Sequence, residues 1–291
     1  MNGILLIDKP AGWTSMDVCA KLRGVLHEKR IGHSGTLDPM ATGLLVVFLG
    51  RATRAVEFAE ADAKTYEAGL RLGLTTDTQD ITGTVLTEAP VCVSEEKIAA
   101  VCAGFCGKIQ QVPPMYSAIK VNGQKLYQLA RKGREVERQP RSIEIFALER
   151  TGKADNGDLL LRVRCSKGTY IRTLCHDIGA ALGCGGAMSA LRRTQAGCFE
   201  ITAAHTLDEV CAAAASGTAE QLLIPVDALF SDSPKIVLTA AQEKVIRNGG
   251  SFTWPSEDEQ PMRLYSQSGE FLALGQTREG RMRSIKSFFE V

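Results

Sequence analysis

The chain has 291 residues, 44% of them hydrophobic and 23% charged, proportions that exclude a disordered or fibrous chain and suit one large domain with a small satellite. Its 34 Lys and Arg stand against 33 Asp and Glu, a net charge of +1. Any surface for a polyanion must therefore come from local clustering rather than a global field.

In chain order, residues 3–7 are a short apolar run ending in Asp8-Lys9-Pro10, the pattern of a strand entering a turn. Thr14 or Ser15 can cap a helix in which Val18, Leu22 and Val25 share a face. A glycine-dense loop, residues 32–43, leads into the buried-strand pattern of residues 44–49. Residues 64–73 alternate, with Tyr66, Ala68, Leu70 and Leu72 on one face and Glu67 and Arg71 on the other, as in a half-buried strand. Residues 94–104, acidic in the first turn, predict a helix.

Residues 143–150 and 159–165 predict two strands joined by the turn-forming Asp155-Asn156-Gly157-Asp158. A helix with Ile171, Leu174, Ile178 and Leu182 at helical spacing follows, stopped by Gly183. Thr206 with Glu209, and Thr239 with Gln242, have capping-box spacing. The polar break Ser231-Asp232-Ser233-Pro234 divides a domain of residues 1–230 from a module of residues 235–291. Short strands expected at 262–265, 271–274 and 284–289 suit a small β-barrel. Strands and helices mix without strict βαβ alternation, so the fold class is α+β.

The run 44–49 is far short of the roughly 20 apolar residues that span a bilayer. Asp8 and Lys9 lie where a signal peptide would be apolar, and nine irregularly spaced cysteines suit a reducing compartment, so a cytoplasmic location is expected.

Charge clusters in three places. Residues 120–141 hold Lys120, Lys125, Arg131, Lys132, Arg134, Arg138 and Arg141 against Glu135 and Glu137, seven minus two or +5, with Tyr127 interleaved and Tyr116 just before them. Arg162, Arg164, Lys167 and Arg172 form a second set; Arg278, Arg281, Arg283 and Lys286 form a third. A solvated helix face would explain one such run; three on a neutral chain suit a phosphate backbone crossing several elements. Composition does not specify RNA.

Asp38 stands out among the candidates for chemistry. Its loop has three glycines and Pro39 biases its backbone to extended, so a stiffly held carboxylate can serve as nucleophile or base. An Asp-Pro turn residue capping its own backbone is the alternative. Arg172, at a helix start disfavoured by the dipole, calls for a specific partner such as a buried carboxylate, or else a surface carbonyl. Tyr66 and Tyr170 read by default as core aromatics. Cys102 with Cys106, and Cys175-His176-Asp177, lack metal or hydrolase spacing and read as packing cysteines. The glycine loop lacks a Gly-Lys-Ser/Thr ending, and residues 183–186 do not form a dinucleotide fingerprint.

The run Gly32-His33-Ser34-Gly35-Thr36-Leu37-Asp38-Pro39-Met40-Ala41-Thr42-Gly43 resembles the catalytic loop of the bacterial TruB-type tRNA pseudouridine synthases. The likeness extends through Lys9-Pro10 with Gly12, Thr14 and Ser15; Lys64-Thr65-Tyr66; Leu72-Gly73 with Thr76-Asp77-Thr78 and Asp80; Pro113-Pro114 with Tyr116-Ser117-Ala118; residues 166–172; and Leu191-Arg192-Arg193. Ser34 and Met40 depart from the usual Thr and Leu. The tail resembles a short PUA-type RNA-binding module.

This resemblance implies a pseudouridine-synthase catalytic domain with a mixed, mainly antiparallel sheet. The implied reaction isomerises uridine 55 of the tRNA T-loop to pseudouridine, with no cofactor, metal, guide RNA or protein partner. It implies Asp38 as nucleophile at C1′ or base at the 2′ carbon, paired with Arg172. Tyr66 would stack on the flipped base and relay the C5 proton, and His33 would fill the vacated stack. Tyr170 and Leu191 would wall the pocket, with Lys9 and Pro10 buttressing the loop. Residues 105–141 would be a basic insertion gripping the T-arm through Lys120, Lys125, Arg131, Lys132 and Arg134. A monomer in the cytoplasm is expected. An RNA-folding protein with secondary catalysis and a guide-RNA-dependent relative are the rival readings.

Overall fold

In the computed structural model, which describes residues 1–60, 63–121, 123–255 and 259–290, strand β1 (Gly3–Lys9) is buried along nearly its whole length. Its unbroken apolar run requires cover on both faces. Helix α1 (Ser15–Leu26) follows, started by a capping box between Thr14 and Asp17, which satisfies donors the first turn leaves free. Then come β2 (Ile31–Ser34), β3 (Thr42–Leu49), the short α2 (Val56–Glu60) and β4 (Lys64–Leu72). The hairpin β5 (Leu74–Thr76) and β6 (Val85–Glu88) precedes α3 (Glu95–Gly104) and β7 (Gly107–Gln111).

The basic segment contains the two-residue strands β8 (Lys120–Val121) and β9 (Gln124–Lys125) and helix α4 (Leu126–Ala130). Met115, Leu126 and Leu129 give it a small core of its own. The long pair β10 (Arg141–Lys153) and β11 (Leu159–Cys165) leads through α5 (Ile171–Leu182) to β12 (Gly186–Ala196), β13 (Phe199–Glu200) and α6 (Leu207–Ala215). The remainder is β14 (Lys235–Val237), α7 (Ala240–Arg247), β15 (Ser251–Thr253), β16 (Met262–Tyr265), β17 (Phe271–Arg278) and β18 (Arg281–Ser287).

The large sheet runs β1-β3-β12-β4-β11-β10-β7, with β2 added on β3 and β13 on β12. Among its pairings only β3 with β12 is parallel, so the sheet is mixed and mainly antiparallel, and the fold is α+β. The second sheet runs β14-β16-β17-β18-β15 and curls over Leu238, Ile246, Leu264, Leu272 and Met282. It is not a detached bead: the Phe230 ring meets Phe58 of α2 and Phe271 and Phe288 of the tail at 5.3 to 6.1 Å.

Two details differ from expectation. The last hairpin turns at Glu279 and Gly280, both at positive φ, so β17 runs further and β18 starts earlier than the apolar pattern alone indicates. Cys106 is exposed, whereas Cys102 and Cys175 are buried; only the latter two pack the core, because Cys106 lies beyond the end of α3. No helix among the described residues is long and apolar enough to cross a membrane.

Candidate active site

The loop between β2 and β3 presents Asp38 between two anchors. On one side the Leu37 amide donates to Ser15 Oγ at 2.9 Å, and Leu37 is buried. On the other, the Gly12 amide donates to the Pro39 carbonyl at 2.8 Å. Lys9 Nζ, fully buried, donates to the carbonyls of Pro10 and Trp13 at 2.9 and 2.7 Å and reaches that of Pro39 at 3.4 Å. Burial pushes the Lys9 ammonium down to about 8, although Asp38 pulls it up. Gly43, at φ +97°, admits no side chain: a Cβ there would lie 2.3 Å from the Arg193 carbonyl oxygen. That close approach is the parallel contact of β3 with β12. The Asp38 side chain keeps 34% of its surface open.

Arg172, in the first turn of α5 and almost fully buried, meets that carboxylate. Its Nε and Nη2 donate to Asp38 Oδ2 and Oδ1 at 2.8 and 3.2 Å. Nη1 donates to the Thr78 carbonyl at 3.0 Å, Nη2 also to the Tyr116 carbonyl at 2.8 Å, and Asp80 lies 3.8 Å from Nε. Such a forked pair fixes both partners in direction as well as distance. Gln79, between the two flanking supports, adopts φ +64° while its Oε1 accepts from Thr173 Oγ1 at 2.7 Å. A non-glycine residue held there stores backbone strain beside the site.

Tyr170 is the N-cap of α5, and no side chain of its own caps the helix. Gln111, at the end of β7 and buried, takes that task. Its Oε1 accepts from the Tyr170 amide at 2.8 Å and its Nε2 donates to the Tyr170 carbonyl at 3.1 Å. Burial pushes the Tyr170 phenol up.

Tyr66 on β4 faces the same core as Leu37, Ala41 and Leu191. In register it lies opposite Arg193 on β12 and Val163 on β11. Burial pushes its phenol up, and Arg193 opposes that rise. His33 on β2 is held below its usual range by burial and by Arg193, and its Nδ1 is buried with no hydrogen-bond partner among the described residues. The structure thus gathers Asp38, Arg172, Tyr66, Tyr170 and Leu191 around one loop, with Lys9 beneath it and His33 nearby on β2.

Lys120, Arg131, Lys132 and Arg134 are exposed, and Lys125 half-buried, on the β8-β9-α4 segment. Lys125 and Arg131 lie over the Tyr127 ring at 5.6 and 5.4 Å. Gln111, Asp80 and Arg193 are additions that sequence reasoning passed over as site residues. For Arg193 a signal existed: it sits two residues after Leu191, on the inward face of a strand.

Residues 23–171 match the family model described as TruB family pseudouridylate synthase, N-terminal domain, and residues 172–231 match the tRNA pseudouridylate synthase B C-terminal domain. The chain is 45% identical over 284 residues to the tRNA pseudouridine synthase B of Azoarcus sp. (strain BH72), covering 97% of this chain and 93% of that one. It is 44% identical over 281 residues to the protein of that name from Syntrophomonas wolfei, covering 95% and 93%. Among solved structures it is similar to a chain of a Cbf5-Nop10-Gar1 complex, with TM-score 0.75, 27% identity, and coverage of 99% of this chain and 85% of that one. It also resembles a chain of an H/ACA RNP bound to a substrate RNA containing 2′-deoxyuridine, with TM-score 0.74, 25% identity, and 99% and 85% coverage.

Proposed function

The chain belongs to the TruB family of pseudouridylate synthases, and from that membership we propose that it isomerises uridine 55 in the T-loop of tRNA, as a stand-alone cytoplasmic monomer without guide RNA. The observation that carries the reading is the forked contact between Arg172 and Asp38 on a loop anchored at both flanks. A reaction that breaks and remakes a bond at one sugar carbon needs a carboxylate whose direction is fixed before the substrate arrives.

The target uridine leaves its stack at a cost of a few kcal/mol. His33 fills the space it vacates, and Tyr66 stacks on the extruded base between walls formed by Tyr170 and Leu191. Asp38 then acts at the sugar, either attacking C1′ or taking the hydrogen from the 2′ carbon. In both routes the N1–C1′ bond breaks with its electron pair leaving on the uracil, the uracil turns, and its C5 joins C1′, displacing Asp38 from that carbon in the first route and in the second as Asp38 returns the proton to C2′. The C5 hydrogen is then lost as a proton to Tyr66, its electron pair closing the C5–C6 double bond while the N1=C6 pair moves onto N1, which takes a proton from solvent. Lys9 and Pro10 hold the loop, residues 105–141 grip the T-arm, and the module of residues 235–291 adds an RNA-binding surface.

Tritium release from a T-stem-loop labelled at uridine C5 tests the whole. The wild type releases tritium with no guide RNA and in the presence of a chelator, while Asp38→Asn binds the stem-loop and releases none. Release by Asp38→Asn removes that carboxylate from the chemistry, and a wild type that needs a guide overturns the stand-alone reading. Deuterium at C2′ separates the two routes, since only removal of that hydrogen gives a primary isotope effect.

A further inference from the structure

Arg193 is a buried charge without a counter-charge. It is wholly buried on β12, yet no carboxylate among the described residues pairs with it, whereas its neighbours Arg172 and Arg192 each hold an aspartate. Its Nε donates to the Leu44 carbonyl at 2.7 Å and its Nη2 to the Gly35 carbonyl at 3.0 Å. Nη1 is buried with no hydrogen-bond partner in bonding geometry among the described residues. Tying the catalytic loop to β12 accounts for two of the three nitrogens. It does not account for a buried, uncompensated positive charge, which is costly unless something anionic meets it.

The surroundings carry the imprint of that charge. Arg193 pulls down the titration of Lys9, His33 and Tyr66 alike. Of these, only Tyr66 becomes an anion on losing a proton, and Tyr66 is the residue directly opposite Arg193 in the β4–β12 register. Cross-strand partners project to the same face. The other groups acting on the phenol are Cys165 from β11 and Asp38 from the loop, and both oppose ionisation. Arg193 is the one group there that favours it.

We propose that Arg193 is a positioning residue for the proton transfer at C5, its guanidinium serving as the fixed counter-ion of a Tyr66 phenolate that exists only during turnover. This rests on the reading of Tyr66 as the acceptor of the C5 proton. The Tyr66 phenol first gives its proton to solvent. The phenolate then takes the hydrogen from C5 as a proton, the C–H electron pair closes the C5–C6 double bond, the N1=C6 pair moves onto N1, N1 takes a proton from solvent, and the phenol is regenerated. The missing anionic partner of Arg193 is thus supplied by the reaction, which is electrostatic preorganisation rather than ground-state pairing.

The test is the pH dependence of single-turnover tritium release from the C5-labelled stem-loop. Wild type rises with pH toward a plateau set by Tyr66. Arg193→Met moves that rising limb at least one unit alkaline, which lowers release at neutral pH about tenfold, with stem-loop binding unchanged. Arg193→Lys keeps the charge and leaves the limb within about half a unit of wild type. Should Arg193→Met not fold, Arg193→Lys together with the Tyr66 titration, followed by 13C-labelled tyrosine in the intact wild type, decides. A limb or titration that does not track the charge at position 193 overturns the inference, as does an Arg193→Met loss of the same factor at every pH. Tyr66→Phe separates the two failures: if it releases tritium at the wild-type rate, the acceptor reading itself is wrong. If it is slowed while the Arg193 variants show no shift, only the counter-ion role falls.

Discussion

Arg172 grips Asp38 edge to edge, its Nε and Nη2 on the two carboxylate oxygens at 2.8 and 3.2 Å, across 134 residues of sequence. The same guanidinium donates twice more, to the carbonyls of Thr78 and Tyr116. A lysine ammonium is a point charge and cannot reproduce four directed contacts. Arg172→Lys is therefore expected to lower kcat for tritium release by roughly 10² to 10³ with little change in stem-loop affinity. Arg172→Met, which leaves buried Asp80 without its cation, should cost about 3 kcal/mol in urea denaturation. A loss confined to RNA affinity would show that the pair serves binding rather than chemistry.

Gln111 supplies the second prediction. Its amide holds both backbone groups of Tyr170 at 2.8 and 3.1 Å, and so sets where α5 begins and where Arg172 points. Gln111→Leu strands the Tyr170 N–H, while the Tyr170 carbonyl keeps the Leu174 amide at 3.0 Å, at about 1–3 kcal/mol. Gln111→Glu keeps the acceptor but turns an anion on the Tyr170 carbonyl. Both should reduce kcat more than RNA affinity. A Gln111→Leu enzyme of full kcat would mean that α5 holds its start without the clamp.

How much of this was legible in the sequence depends on what each element rests on. Strands β4 and β11 and helix α5 follow from spacing alone, since one face of each is buried and periodic. The capping boxes at Thr206 and Thr239 are present as their spacing indicates. Hairpin β5–β6 was not legible, because every residue of β6 is exposed and no face carries a pattern. Asp38 and Arg172 were legible as residue types, but their meeting depends on tertiary packing, and the family resemblance supplied it. Gln111 was hidden for another reason: its partners are a backbone amide and carbonyl remote in sequence, and any residue can provide those; Arg193 could be read as facing inward, but not the carbonyls that it meets.

The basic segment gives a prediction about salt. Lys125 and Arg131 flank the Tyr127 ring, and Arg134 lies exposed just beyond. If each meets one phosphate, replacing all three with Gln should reduce the slope of log affinity against log salt by about 2 to 3. Filter binding between low and moderate salt reads this directly, and tritium release at saturating RNA should be kept. An unchanged slope would show that these side chains do not touch the backbone of the RNA.

Lys9 makes a prediction about stability and pH. Burial lowers its ammonium from 10.5 to about 8 in the folded protein. Between those values the unfolded chain binds more protons than the folded one, so stability rises with pH across that window. From pH 8 to 9 the contribution is about 1 kcal/mol in favour of the fold. The buried thiols act oppositely at higher pH. Cys19 and Cys165 are pushed up to about 11 and Cys175 to about 12, so above about 9 the unfolded chain gives up thiol protons that the fold retains, and stability falls. Lys9→Met removes only the first effect. Urea denaturation of both proteins at several pH values should therefore show the wild type gaining on Lys9→Met by about 1 kcal/mol between pH 8 and 9. Part of the baseline gap reflects the carbonyls of Pro10 and Trp13 that lose their donor. A gap that stays constant across this range would mean that the ammonium is not depressed, and that its burial beneath the Asp38 loop is compensated by neighbours other than those carbonyls.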